Sequence, residues 1–251
     1  MERRTRALYP AAVPQWLVGP DPVRVLDLGS GGGAFADMLS EAGHEVFTID
    51  RSATEATKLH RRLGTGLHVV GQVEALPYLA CHFDVVTASQ TLHRFAPGLA
   101  LSEIARVLKP GGHLGVAYNT RDDTVPWVRR LIALMRQADP AAGAGDYGVD
   151  AVEAVVESPY FGRVEQHSFR NWLPITREEL IAMVARREPV QSLDPGERQG
   201  LLREVAALYD SSARAPEPLL LPYRATCWRA AADHSQLAAV DDELDALEIR
   251  I

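Results

Sequence analysis

Apolar positions along this chain recur in two rhythms that alternate. Short runs rich in β-branched and apolar residues read as buried strands: Val23 to Leu28, Glu45 to Asp50, Leu67 to Val70, Phe83 to Ser89 and His113 to Tyr118. Between them lie helix-spaced segments. Ala34 to Ala42 places Phe35, Met38, Leu39 and Ala42 on one stripe, and Ala53 to Leu63 and Leu99 to Leu108 repeat the pattern. Strand and helix in strict alternation predict an α/β, doubly wound, Rossmann-like sheet.

The pattern changes after the fifth strand. Pro126 to Gln137 restarts as a helix with Pro126 in the permitted first turn, and the small, glycine-rich run Ala138 to Gly148 reads as a mobile loop. Val164 to Phe169 is the sixth strand, Thr176 opens a helix with Glu179 in the capping-box place, Gly196 to Tyr209 is another helix, and Leu219 to Arg229 is the seventh strand. Pro222 inside that strand predicts a bulge or an exposed edge. Helices between about residues 121 and 215 are expected to cap the carboxyl ends of the strands, where a substrate chamber belongs. Ahead of the first strand, Val13 to Val18 fits one short amphipathic turn. Residues 1–230 are expected to form one domain. The acidic, alanine-rich stretch 231–251 reads as a frayed helix or disordered tail, with a partner-binding helix as the alternative.

Composition narrows the function classes. A formal charge of −7 argues against an extended phosphate-binding face, so the expected partner is a small molecule and not a nucleic acid. No run resembles a secretory leader or a membrane span, and Cys81 and Cys227 stand in no metal-ligand spacing. A cytoplasmic protein with reduced, structurally incidental thiols and no metal is the expectation. Nothing in the pattern sets an oligomeric state.

The chemistry concentrates in Val25 to Phe35, VLDLGSGGGAF. Gly29, Gly31, Gly32 and Gly33, with Ser30 among them, allow a tight turn from strand to helix, and the helix N-terminal amides then point at whatever sits above it. Asp50 ends the next strand about 20 residues on, where a ribose diol is expected. GSGGGA also satisfies the dinucleotide fingerprint G-x-G-x-x-G/A. Asp27 tips the balance, because a carboxylate two residues before the turn repels a pyrophosphate and attracts an ammonium or sulfonium.

DLGSGGG with Asp50 resembles motif I and the following acidic position of the class I S-adenosylmethionine-dependent methyltransferases. GQVEALPYLACHFDVV (Gly71 to Val86) resembles that family's G-D-A-E-x-L-P-F stretch and fourth strand, and the segment from Glu103 to Asp123 resembles its L-K-P-G-G turn and fifth strand. NTRDDTVPWVRRL (Asn119 to Leu131) and LPYRATCWRA (Leu221 to Ala230) are similar to a bacterial small-molecule subgroup related to the trans-aconitate type. The resemblance implies a seven-stranded mixed sheet with the last strand antiparallel between the fifth and sixth, S-adenosylmethionine as cofactor, and methyl transfer to a small molecule, at oxygen before nitrogen or carbon. The family's leader, often with a tyrosine over the cofactor, is short here. Only eight residues precede Tyr9, so the pocket is more open, or its lid comes from elsewhere, or the start is late.

The resemblance also distributes roles. Asp50 holds the ribose or caps the next helix, Arg51 lies under the adenine or is an ordinary surface arginine, and Glu74 binds backbone amides or faces solvent. Gln72 and Val73 replace the family's Asp and Ala at the adenine edge, which implies weaker cofactor affinity because Gln72 accepts without a charge. Ser89, Gln90 and His93 follow the fourth strand beside the expected path of the sulfonium. His93 is a candidate base for a hydroxyl acceptor or merely caps the next turn, and Arg94 or Arg121 is placed to orient a carboxylate. Tyr118, Asn119 and Trp127 are expected to line the acceptor chamber, with Trp172 and Tyr223 more distant. Two other readings stand beside this one: a noncatalytic binder of the same cofactor, and an NAD-dependent oxidoreductase.

Overall fold

The alternation is realised as one seven-stranded sheet in a computed structural model that describes residues 9–63, 68–140, 142–143, 147–214 and 218–237. Its strands are β1 (Arg24–Leu28), β2 (Glu45–Asp50), β3 (His68–Val70), β4 (Phe83–Ser89), β5 (Leu108–Arg121), β6 (Phe161–Ile175) and β7 (Leu219–Ala232). Their order is β3-β2-β1-β4-β5-β7-β6. The first five run parallel, and β7 lies antiparallel between β5 and β6. This is the mixed Rossmann-like sheet that the sequence predicts.

The helices are α1 (Ala12–Val18), α2 (Ala34–Glu41), α3 (Ala53–Leu63), α4 (Pro97–Val107), α5 (Pro126–Met135), α6 (Tyr147–Val156), α7 (Arg177–Ala185), α8 (Glu188–Gln191) and α9 (Pro195–Ser212). Side chains alternate across each strand, so the sheet builds two cores. Val25, Val46, Val85 and Ala117 bury against α1 and α2 on one face. Leu26, Leu28, Val86, Ala88, Leu114 and Val116 bury against α4 and α6 on the other. Leu26 and Leu28 are fully buried, and trimming either to Ala costs about 2–5 kcal/mol.

A third cluster joins α5, α7, α8 and α9 through Leu131, Leu180, Val190, Leu201 and Val205 to Leu221 at the start of β7. The chain enters α5 soon after β5 ends, so this helical group stands at the carboxyl end of that strand. The capping box of α7 is formed: Thr176 Oγ1 accepts from Glu179 N at 3.2 Å, and Glu179 Oε2 accepts from Thr176 N at 2.9 Å.

Several boundaries differ from the sequence expectation. β5 begins at Leu108, because Leu108 pairs with Phe83 and the Lys109–Gly112 turn bulges out before pairing resumes at His113 with Val85; a Cβ on Gly112 would lie 2.8 Å from Asp84 O. β6 is far longer than Val164 to Phe169, and α6 and α8 replace stretches read as loop or left unassigned. Register runs through Pro222 without a bulge, paired with Trp172 on β6. The last β5 pair is Arg121 with Tyr223, and Pro222 O accepts from Asp122 N at 3.0 Å. Carbonyl and amide of one antiparallel residue share a side, so the missing N–H points past the end of β5. Ala231 and Ala232 belong to β7, and a short helical turn spans His234–Gln236. The acidic stretch after Leu237, and Leu67, lie outside the described residues. Cys81 is exposed in a loop and Cys227 is buried in β7, both as free thiols. No helix among the described residues is long and apolar enough to cross a membrane.

Candidate active site

The glycine turn after β1 takes left-handed backbone at Gly29 (φ 63°), Gly31 (φ 47°) and Gly33 (φ 74°). Gly29 is the tightest position: a Cβ there would stand 3.0 Å from Thr91 Cγ2 and 3.3 Å from Phe95 Cζ. Asp50 ties the turn down, with Oδ2 accepting from Gly31 N at 2.9 Å and Oδ1 from Ser52 N at 2.8 Å. Ser52 in turn accepts from Glu55 N at the start of α3, so Asp50 organises the turn and Ser52 caps the helix. Asp50 retains lone pairs for further donors, since a carboxylate offers about four. Ser30 Oγ is buried without a hydrogen-bond partner among the described residues.

Above the turn lies a crevice of about 150 Å³, lined by Gly29, Asp50, Arg51, Val73, Arg94 and Phe95 among others. Arg51 donates through Nη2 to both carboxylate oxygens of Glu74 at 3.1 and 3.2 Å, and Glu74 also accepts from Ala96 N at 3.0 Å. Burial raises the Glu74 carboxyl, but those hydrogen bonds and the Arg51 charge outweigh it and hold it below the usual carboxylate range. Arg51 is thus a strap across to the segment after β4. Gln72 is exposed and its side chain does not cap the Val73–Ala75 turn.

Behind the crevice, on the face covered by α1 and α2, runs a row of polar side chains in which Asp27, Thr87 and Tyr9 are buried and Ser89 is half-buried. Asp27 is 1% exposed and sits opposite Thr87 in the β1–β4 register. Thr87 Oγ1 donates to its Oδ1 at 2.8 Å, while Oδ2 is buried with no hydrogen-bond partner among the described residues. Burial pushes the Asp27 carboxyl up to about 7, with Thr87 pulling it down and Asp50 pushing it further up. Asp27 does not line the crevice, so its charge acts from behind the wall. One step along β4, Ser89 Oγ donates to Tyr9 Oη at 3.0 Å, and Tyr9 Oη donates to Ala117 O at 3.3 Å. Tyr9 is 1% exposed and part of the core beneath α1.

The other face carries a second constellation. Gln90, at the end of β4, is held at φ 62° and donates through Nε2 to Asn119 O at 3.1 Å. Such left-handed backbone in a non-glycine residue costs about 1–3 kcal/mol and clusters at functional sites. It turns the chain into the Leu92–Arg94 segment, where His93 Nδ1 lies 2.9 Å from Tyr118 Oη, and Tyr118 Oη also accepts from His93 N at 3.1 Å. Burial and the neighbouring Arg94 lower the His93 imidazole below its ordinary value. A cavity of about 460 Å³ opens here between the start of α4 and α6. His93 lines it, and Phe95 walls both this cavity and the crevice.

The proposed chamber residues therefore divide. His93 and Tyr118 touch, Arg94 lines the crevice, Arg121 reaches Met183 of α7 at 3.5 Å, and Trp127 packs into the helical group. Trp172 stands on β6, 47% exposed, and Tyr223 packs against the helical group. Sequence reasoning missed Thr87, Thr91, Phe95 and the α6 residues of the cavity. Thr87 carries a legible signal, a polar residue inside the buried run FDVVTAS; the others carry none.

Comparison with known proteins adds three findings. A family model described as a methyltransferase domain matches residues 26–116. An uncharacterised methyltransferase of Mycobacterium tuberculosis is 32% identical over 231 residues, 90% of each chain, and a demethylmenaquinone methyltransferase of Beutenbergia cavernae is 38% identical over 105 residues, 41% of this chain and 42% of its own. Among solved structures, a protein of Anaeromyxobacter dehalogenans named as a type II methyltransferase superposes with TM-score 0.63 at 21% identity, covering 90% of this chain and 96% of its own.

Proposed function

The chain belongs to the class I S-adenosylmethionine-dependent methyltransferases, and from that premise we propose that it transfers a methyl group from S-adenosylmethionine to a small-molecule acceptor, at oxygen. When bound, this cofactor would supply an electrophilic methyl carbon whose leaving group, a neutral thioether, would keep the electron pair, and the chain's part would be to hold it, orient the acceptor oxygen and accept the acceptor's proton. The residues present fit the group. Asp50 keeps acceptor capacity for a ribose diol, the glycine turn brings backbone amides to the crevice without side chains in the way, and Val73 and Phe95 offer apolar surface for a purine. Glu74 and Arg51 close the far wall.

The observation that carries the reading is Asp27, a fully buried carboxyl with one oxygen left without a hydrogen bond among the described residues, two positions before the glycine turn. Leaving such a group uncompensated is costly, and a cation at the crevice offsets it; a diphosphate would make it worse. Titration calorimetry at pH 8 with S-adenosylmethionine, its demethylated product and NAD tests this. The two sulfur ligands are expected to bind and NAD not to. Tight NAD binding alone would transfer the chain to hydride chemistry, and binding of the sulfur ligands without turnover on any acceptor would leave it a cofactor-binding protein.

On the acceptor side the proposed base is His93. His93 Nδ1 lies 2.9 Å from Tyr118 Oη; the tautomer in which Nδ1–H donates there presents Nε2 as the accepting nitrogen, and burial with the nearby Arg94 lowers the imidazole below its ordinary value, which favours the neutral ring. A cytoplasmic setting agrees with two free thiols and no expected disulfide.

A further inference from the structure

The cavity on the α4/α6 face has a lining that restricts what the acceptor can be. Leu92, Phe95, Ala100, Leu101 and Ala154 make it apolar, and its polar side chains are His93 at one side and Asp150 from the first turn of α6. Among the described residues no arginine or lysine lines it. The apolar character continues outward on the helices that bound it. Leu99, in the first turn of α4, is 63% exposed, and Val149, in the first turn of α6, is 48% exposed. Its volume of about 460 Å³ is in the range that encloses a small organic ligand. Gly148 marks the site as built: a Cβ there would stand 2.7 Å from the Tyr118 ring, so the α6 start is seated directly on the residue that holds His93.

We propose that this cavity is the acceptor site, and that it takes a lipophilic, uncharged or cationic molecule presenting a hydroxyl to His93, entering between the first turns of α4 and α6. This deepens the methyltransferase reading and rests on it. It also decides between the acceptor chemistries: an anionic acceptor would meet the Asp150 carboxylate in an apolar surround with no cationic side chain among the described lining residues, whereas Arg94 faces the crevice and Arg121 lies against α7.

The test uses three probes on one frame: 2-naphthol, 2-(aminomethyl)naphthalene and 2-naphthoate. Their binding to the full chain is measured by fluorescence, alone and with the demethylated cofactor product present. The alcohol and the amine are expected to bind at least tenfold more tightly than the carboxylate. Ala151→Phe, which fills the cavity from α6, is expected to abolish binding of all three while calorimetry shows cofactor binding unchanged. Asp150→Asn is expected to narrow the gap between carboxylate and alcohol and to weaken the amine. Equal or tighter binding of 2-naphthoate would overturn the proposed class, and probe binding that survives Ala151→Phe would overturn the site. Failure of the cofactor to bind, with the probe ranking intact, would count against the methyltransferase reading and leave the cavity's ligand class standing.

Discussion

The two faces of the sheet meet the same carboxyl edge with opposite designs. On the α1/α2 side, Asp27, Thr87 and Tyr9 are polar groups locked in the core, with half-buried Ser89 at its edge, held mainly by strand register and hydrogen bonds. On the α4/α6 side, His93, held against Tyr118, and Asp150, on the first turn of α6, are polar groups spaced around an open apolar cavity. The first arrangement can do little but hold a fixed charge in place, which suits an unchanging cofactor. The second leaves volume to be occupied, and its lining can change residue by residue without disturbing a strand, which suits an acceptor particular to this protein.

The largest expected effect falls on the open side. His93→Gln should lower the rate of methyl transfer to 2-naphthol by about 10²–10⁴-fold with cofactor affinity unchanged. In the parent protein the rate should rise with pH through a value below 6.5, as the lowered imidazole loses its proton, and the variant should lose that limb. A rate unchanged by the substitution would remove His93 from the chemistry and reduce it to a turn residue.

Asp27→Asn tests the buried side. Truncating a buried charge that pairs with a ligand costs about 2 kcal/mol or more, so the cofactor dissociation constant should rise at least about 30-fold. The same change should stabilise the ligand-free protein. The carboxyl holds its proton up to about pH 7 when folded against 3.8 in its ordinary state, so ionisation opposes folding, and stability is lost as pH rises across that window. Above it, Asn should recover up to about 4 kcal/mol, read by urea denaturation at pH 5 and pH 8. A stability difference between parent and variant that is the same at pH 5 and pH 8 would show that the buried oxygen is not a stored cost.

Gly29→Val sharpens the contrast at the turn itself. A β-branched residue at φ 63°, with its Cβ against Thr91 and Phe95, should cost at least about 2 kcal/mol and weaken cofactor binding together. The smallest effect belongs to Gln90. Gly at φ 62° relieves left-handed strain but loses the Asn119 hydrogen bond and adds backbone freedom, so Gln90→Gly should change stability by about 1 kcal/mol or less while slowing transfer through a loosened His93.

The same contrast explains what the sequence makes legible. β2 and β4 end where their apolar runs end, because parallel strands covered on both faces must be apolar throughout, and the glycine turn with Asp27 and Asp50 follows from backbone conformation that few residues allow. β6 was foreshortened because it is an edge strand: Arg163, Glu165, Gln166, His167 and Ser168 face solvent and leave no burial rhythm to detect. α6 was hidden by Gly148, a residue disfavoured in helices that is required here by the close approach of Tyr118. Tyr9 lies in the core beneath α1, its hydroxyl spent on Ser89 and Ala117. The division of the chamber residues had no sequence signal, since which of Tyr118, Arg121 and Trp127 meets the acceptor depends on how helices far along the chain pack.

Calorimetric titration of S-adenosylmethionine against pH, in the parent protein and in Asp27→Asn, tests the central claim that a buried carboxylate selects a cationic sulfur ligand. In the parent, affinity should climb about tenfold per pH unit until about pH 7 and then level, and in Asp27→Asn it should be weak and flat across the same range. Affinity in the parent that does not change between pH 5 and pH 8, or a variant that binds as tightly as the parent, would contradict it.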